Sequence, residues 1–194
     1  MVLEGIVTTV DAAGTVNLAP MGPLVDEALT SFLLRPYRTS RTYQNLKQQP
    51  HGVIHVTDDV LLLARAAIGR LDEMPELFPA ERVPGWVVAS ACRWYEFEIE
   101  TLDDAQDRTQ IQTRIVHQGR IRDFFGFNRA KHAVLEAAIL ATRINLMPRA
   151  ELLEEFERLK IPVQKTAGDS ERAAFELLWD YVTKCDAAET APRA

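Results

Sequence analysis

The hydrophobic period of this chain changes near Asn128. Before that point apolar and β-branched residues fall in short runs with a period of two, as in Trp94, Glu96, Glu98 and Glu100 set against Tyr95, Phe97 and Ile99. After it, Ala130, Val134, Ala137, Ala138 and Ala141 recur at helical spacing. A period of two belongs to strands and one near 3.6 to helices. The pattern therefore predicts an α+β fold: a β-rich part to about residue 121, then three helices. Many short antiparallel strands with two inserted short helices point to a small barrel. With 194 residues the chain can bury one core of ordinary size, or one plus a helical appendage. The expected partition is a barrel over 1–125, a C-terminal helical segment packed on it over 126–186, and a flexible tail over 187–194.

The run Ile6-Val7-Thr8-Thr9-Val10, the turn Asp11 to Gly14, and an extended stretch Thr15 to Ala19 predict a hairpin. Ala28 to Leu34 reads as a third strand and Gly52 to Thr57 as a buried one. A short helix over 39–49 is capped by Thr39 or Ser40. Another, Val60 to Ile68, is capped by Asp58-Asp59 and closed by Gly69. Pro75, Pro79, Pro84 and Gly85 predict a long loop over 72–86 with no regular element. Val87 to Leu102 and Thr109 to Ile121 read as paired strands around the polar turn Asp103 to Asp107. Helices are expected from Asn128 to about Asn145, from Arg149 to Lys160, and from Asp169 or Ser170 to about Cys185, with Pro162 to Asp169 as a linker.

Composition narrows the function. Charged residues make up 26% and the net charge is −6, which argues against general nucleic-acid or membrane-surface binding. No apolar run approaches the ~20 residues that span a bilayer, and the N-terminus has no leader pattern, so a cytoplasmic location is expected. Cys92 and Cys185, far apart and outside any Cys-x-x-Cys, predict two buried thiols.

On this acidic chain Arg35-Pro36-Tyr37-Arg38-Thr39-Ser40-Arg41-Thr42 is a local exception. Three guanidiniums and three hydroxyls follow an apolar run and precede a helix. Forked arginine donors, hydroxyls and the first free helix N–H groups together suit a phosphate, and so a nucleotide-like cofactor. The same residues also fit a solvated helix start whose hydroxyls only cap. There is no Walker loop and no Gly-x-Gly-x-x-Gly. Asn17-Leu18-Ala19-Pro20-Met21-Gly22-Pro23 ends a strand in two prolines around a glycine; it is either an irregular exit or a place where a ligand meets the main chain. His55 reads as a core histidine, Asp58 and Asp59 as caps, and Glu98 with Glu100 as a solvated pair. His51, His117 and His132 lack metal-ligand spacing, so no metal site is expected. Arg129 and Lys131 oppose the dipole preference of their helix; such cations either hold an anion or are surface charges.

In their order and spacing, Ile6 to Thr9, Gly14 to Gly22, Arg38 to Leu46, Val53 to Asp59 and Phe127 to Arg143 resemble the uncharacterised DUF447 family, which belongs with the FMN-binding split β-barrels. That resemblance covers roughly residues 4–185. It implies an antiparallel split barrel, bound FMN, and a homodimer with the flavin at or near the interface. It also implies that Arg38, Thr39, Ser40 and Thr42 hold the phosphate, that Asn17, Ala19, Pro20, Met21 and Gly22 line the isoalloxazine, and that Asn45 and Thr57 are secondary contacts. His55 is a departure, since related sequences carry Asn there. The implied activity is that of an FMN-dependent oxidoreductase or flavin reductase serving a small-molecule donor and acceptor. The substrate is unknown, with a possible link to tetrahydromethanopterin one-carbon metabolism. A flavin carrier or a structural-regulatory dimer without catalysis is the alternative. No catalytic acid or base is assigned, and hydride transfer to flavin N5 needs none.

Overall fold

The computed structural model describes residues 1–184. Contacts divide them into two compact units: residues 1–57 with 74–124, and residues 58–73 with 125–184.

The first unit carries strands β1 (Gly5–Val10), β2 (Val16–Met21), β3 (Leu24–Val25), β4 (Ser31–Leu34), β5 (His51–Val56), β6 (Leu77–Pro79), β7 (Trp86–Val88), β8 (Arg93–Asp103) and β9 (Gln110–Arg120), and one helix, α1 (Arg41–Gln48). Seven strands form one antiparallel sheet in the order β2-β1-β5-β8-β9-β4-β3, while β6 and β7 pair separately. Every residue of β1 is buried, which explains why its sequence is a β-branched run rather than an alternation. Val7 joins Phe32, Leu34, Ile54, Tyr95, Phe97 and Ile111 in the main core, and α1 adds Tyr43 and Leu46 to it. On the other face of β1, Thr8 donates to the Trp86 carbonyl at 2.6 Å. Beneath the β6–β7 hairpin, Val53, Val83, Val87 and Trp94 form a smaller cluster. Gly5 is required by close approach: a Cβ there would collide with the His55 carbonyl.

Several expectations are corrected. β2 continues through Pro20 to Met21, which is possible because it is the outermost strand and Pro20 needs no ladder donor. The third strand starts at Ser31, not Ala28, because Asp26 accepts from the Thr30 and Ser31 amides and closes a turn. The supposed loop 72–86 contains β6 and the start of β7. The supposed strand 87–102 is broken at 89–92, so Trp86–Val88 leaves the main sheet. Glu98 and Glu100 are exposed as expected, but the alternation does not extend that solvated face to Glu96. Glu96 is fully buried and accepts from the amides of Glu81, Arg82 and Val83 and from the Trp94 indole. Burial pulls this carboxyl up, but those four donors outweigh it and hold it below the usual carboxylate range.

The second unit comprises α2 (Val60–Ala67), α3 (Arg129–Ala141), α4 (Arg149–Thr166) and α5 (Asp169–Lys184). Its core contains Leu63, Val134, Leu152, Phe156, Phe175 and Leu178. Asp59 caps α2 through the Leu62 amide at 3.0 Å. The expected linker 162–169 is mostly helix: α4 runs through Pro162 to Thr166, with Val163 buried beyond the proline. Pro162 removes one ladder bond, and the turn beyond it is held by the buried Val163, by the Thr166 hydroxyl donating to the Pro162 carbonyl at 2.8 Å and by the Ala167 amide donating to the Val163 carbonyl at 3.0 Å. α3 stops at Ala141, four residues short of the predicted end. Among the described residues no helix is long and apolar enough to cross a membrane. Cys92 is buried as expected; Cys185 and the tail 187–194 lie outside the described residues.

Candidate functional site

The start of α1 gathers the residues singled out by the sequence. Ser40 is the N-cap, and its Oγ accepts the Tyr43 amide at 3.2 Å. The hydroxyl proton of Ser40 is therefore available to another acceptor. The Arg41 and Thr42 amides, the first two of the helix, find no acceptor among the described residues. Arg38 and Arg41 form no side-chain hydrogen bond or salt bridge among the described residues. Their charges act at longer range on Asp104 and Asp11. Arg38, Thr39 and Arg41 are exposed, and Thr42 is buried. Two guanidiniums, hydroxyl protons and two unpaired amides thus belong to one helix end, Arg38 on the Asp104 side and Arg41 on the Asp11 side, a donor set suited to a phosphate monoester. By the chemistry of its donors this helix end could hold the phosphate of a group such as FMN.

The inner face of α1 ties the anchor to the sheet. Asn17 Nδ2 donates to Thr42 Oγ1 at 3.1 Å, and Asn45 Nδ2 donates to Thr9 Oγ1 at 3.1 Å. Thr9 and Asn17 are register partners across β1 and β2, so the two bonds lie side by side. Accepting from Asn17 leaves the Thr42 hydroxyl proton free. Asn45, 5% exposed, is a brace between α1 and β1.

From Asn17 the strand β2 leads through Ala19 and Pro20 to Met21, opposite Gly5. These residues and Gly22 are half-buried along the outermost strand of the sheet. Asn17 to Met21 spans four residues, about 13 Å of extended chain, so β2 leads well away from the anchor. Thr57 follows Val56 at the end of β5, and antiparallel pairing of Ile6 with His55 sets it toward the Met21 end of the sheet. The structure thus brings Arg38, Thr39, Ser40, Thr42, Asn17 and Asn45 together, with Ala19, Pro20, Met21 and Gly22 strung along the adjoining strand and Thr57 near its far end.

His55 has no exposed surface. Its Nδ1 lies 3.1 Å from the Ile6 carbonyl, and its Nε2 lies 3.1 Å from the Val88 amide. The amide can only donate, so Nε2 accepts and Nδ1 carries the proton. Burial pushes its pKa down to about 4 against the opposing effect of the Ile6 carbonyl. Both ring nitrogens are thus engaged by backbone groups, and the side chain serves the fold.

Sequence reasoning missed a cluster beside the anchor. Tyr43 Oη donates to Asp104 Oδ2 at 2.5 Å, and the Lys47 ammonium reaches both Asp104 and the Tyr43 oxygen at 2.9 Å. The Tyr43 and Lys47 hydrogen bonds bring the Asp104 carboxyl down to about 2. The 103–109 turn is laced to the anchor: the Arg38 amide donates to the Asp107 carbonyl at 2.8 Å and the Thr109 amide to Pro36 at 3.0 Å. Spacing gave no signal for this, since 61 residues separate Tyr43 from Asp104. Only the density of carboxylates in 103–107 hinted at it. A depression of about 510 Å³ opens here, lined by Arg38, Thr39, Tyr43, Gln44, Lys47 and Asp107.

A curled antiparallel sheet with a helix start beside its outermost hairpin is the architecture of the split β-barrels. The chain belongs to the DUF447 family. Residues 3–122 match "Protein of unknown function (DUF447) N-terminal domain" and residues 128–180 match "Protein of unknown function (DUF447)". Among solved structures it is similar to the FMN-bound DUF447 protein MM1853 from Methanosarcina mazei, at 24% identity, covering 93% of this chain and 94% of that one, with a TM-score of 0.79. It is also similar to the styrene monooxygenase flavin reductase of Pseudomonas putida S12, at 13% identity, 62% and 82% coverage and a TM-score of 0.53. A third likeness is to an NADH:FAD oxidoreductase of Streptomyces globisporus, at 15% identity, 60% and 75% coverage and a TM-score of 0.50. No curated protein matches the sequence.

Proposed function

We propose that this chain binds FMN, with its phosphate on Arg38, Thr39, Ser40, Thr42 and the first amides of α1, and serves as a flavin-dependent oxidoreductase or flavin reductase. The observation that carries the reading is the uncommitted donor set at the start of α1. The likeness over nearly the whole chain to an FMN-bound family member supports it. Asn17, Ala19, Pro20, Met21 and Gly22 would then border the ring, mostly through backbone groups, with Asn45 bracing the anchor and Thr57 a contact at the far end. When bound, FMN supplies a hydride acceptor at N5, and the protein's part is to place and polarise it. A homodimer with flavin near its interface fits the position of the ring-lining residues on the outermost strand, which a second copy would cover. A role in tetrahydromethanopterin metabolism is carried by no side chain described and is not part of this reading.

The test is the visible spectrum of the purified protein, followed by titration with FMN. Yellow protein, or saturable uptake of added FMN, is expected; colourless protein that takes up none defeats the reading. Reduction of bound flavin by NADH, NADPH or a reduced deazaflavin separates an enzyme from a carrier, and sedimentation velocity tests the dimer.

A further inference from the structure

The anchor opens onto a depression whose size does not limit what can follow the phosphate. At about 510 Å³ it would hold much more than one phosphoryl group. Charge is what limits it. The cations facing it are Arg38 and Lys47. Lys47 is held at 2.9 Å by Asp104, whose carboxyl is kept ionised by Tyr43 and Lys47 far below neutral pH. Asp107 also lines the depression. Its backbone is fixed against the anchor by the Arg38 amide, and its carboxylate makes no hydrogen bond or ion pair among the described residues. Once Arg38 is engaged by a first phosphate, the remaining wall holds one cation, Lys47, which is already paired with Asp104 behind it, and one unpaired carboxylate, Asp107. A second phosphate emerging there meets net negative charge at close range.

We propose that Asp107, seconded by Asp104, is the specificity-determining residue of this site: its carboxylate repels a second phosphate, so the chain takes the flavin monophosphate and turns away the dinucleotide FAD. The inference rests on the phosphate-anchor reading and deepens it. Discrimination by a repulsive group needs no new contact with the accepted ligand, only a cost to the rejected one. For a carboxylate and a phosphate a few ångströms apart at a wet surface, that cost corresponds to roughly tenfold in affinity.

The experiment is a titration of the wild-type protein, Asp107→Asn and Asp107→Lys with FMN and with FAD, followed by flavin fluorescence at low and high salt. Asp107 is exposed in a turn and its backbone bonds persist in both variants, so the fold survives. Wild type is expected to bind FMN at least about tenfold tighter than FAD, with the ratio shrinking in high salt. Asp107→Asn should narrow the ratio about threefold and Asp107→Lys about tenfold, chiefly by improving FAD. Equal affinities in the wild type, or a ratio unmoved within about twofold in both variants, overturns this inference alone. Wild-type protein that binds neither flavin overturns the FMN reading along with it.

Discussion

Two helices of this protein begin alike in sequence and differently in space. α1 and α3 both open with basic residues and carry no acid in the first turn, against the preference of the helix dipole. At α3 the buried cation, Lys131, is answered from inside, while Arg129 is exposed and makes no side-chain hydrogen bond or ion pair among the described residues. The Lys131 ammonium sits 2.8 Å from Glu171 and 2.7 Å from the Asp58 carbonyl, and Asn128 caps both the Ala130 and Lys131 amides. Glu171 also receives the Gly168 amide at 2.9 Å. At α1 the single cap takes one amide, while two guanidiniums and two further amides stay uncommitted. Of the two readings open for Lys131 from sequence, the anion it holds turns out to be the protein's own. A cation at a helix start therefore marks a ligand site only where the fold leaves it unanswered.

The largest expected effect falls on the answered helix. Lys131 and Glu171 are 17% and 10% exposed, and removing one partner of such a pair leaves a buried charge uncompensated. Lys131→Ala should lower unfolding free energy by about 3 kcal/mol in urea denaturation, while the folded variant keeps its FMN affinity within about twofold. A large loss of flavin affinity at unchanged stability would erase the distinction between the two helix starts.

His55 extends the same comparison to a second internally satisfied group. Its folded pKa of about 4 lies below the ordinary value of 6.5, so between those pH values the unfolded chain binds more protons than the folded one. Stability should therefore fall as pH drops from about 6.5 toward 4, by about 3 kcal/mol from this group, with no further loss from it below. His55→Asn can keep the bond to the Ile6 carbonyl through its Nδ2, loses the acceptor for the Val88 amide, and does not titrate. Chemical denaturation from pH 6.5 to 5, above the range where carboxylates add their own slope, should be flatter in that variant. An unchanged slope would mean that His55 does not remain neutral in the fold.

At the unanswered helix the effect moves from stability to binding. Arg38→Ala with Ser40→Ala removes a charge-assisted contact and a hydroxyl, and should weaken FMN binding by about a hundredfold. Fluorescence titration reads this directly, and unchanged affinity would refute the phosphate assignment.

The sequence showed these regions unevenly. Strand runs, the helix starts at Thr39 or Ser40 and at Asp58-Asp59, and the period change at Asn128 were legible because each is set by neighbours within a few residues. Pro162 misled because its local penalty is offset by contacts and hydrogen bonds of the turn beyond it, which no local rule shows. Glu96 misled because alternation assigns a face but cannot say that a hairpin from 77–88 will cover it. Anchor residues stood out by composition. The Tyr43–Lys47–Asp104 cluster and the Asn45–Thr9 brace could not, since they depend on pairings 36 or more residues apart.

The smallest effect is the sharpest comparison, because it asks the same chemical change of both helix starts. Asn128 and Ser40 are the side-chain caps of α3 and α1, and truncating either to Ala should cost about 1 kcal/mol of stability. Asn128 has no further duty toward a ligand, so Asn128→Ala should lower the melting temperatures of the apo and FMN-loaded proteins equally. Ser40 accepts the Tyr43 amide while keeping its own proton for the phosphate, so Ser40→Ala should lower the loaded protein's melting temperature more than the apo protein's. The extra drop reports the lost ligand contact by linkage. Parallel shifts for both variants would mean that Ser40 is only a cap, leaving the anchor to Arg38, Thr39 and Thr42.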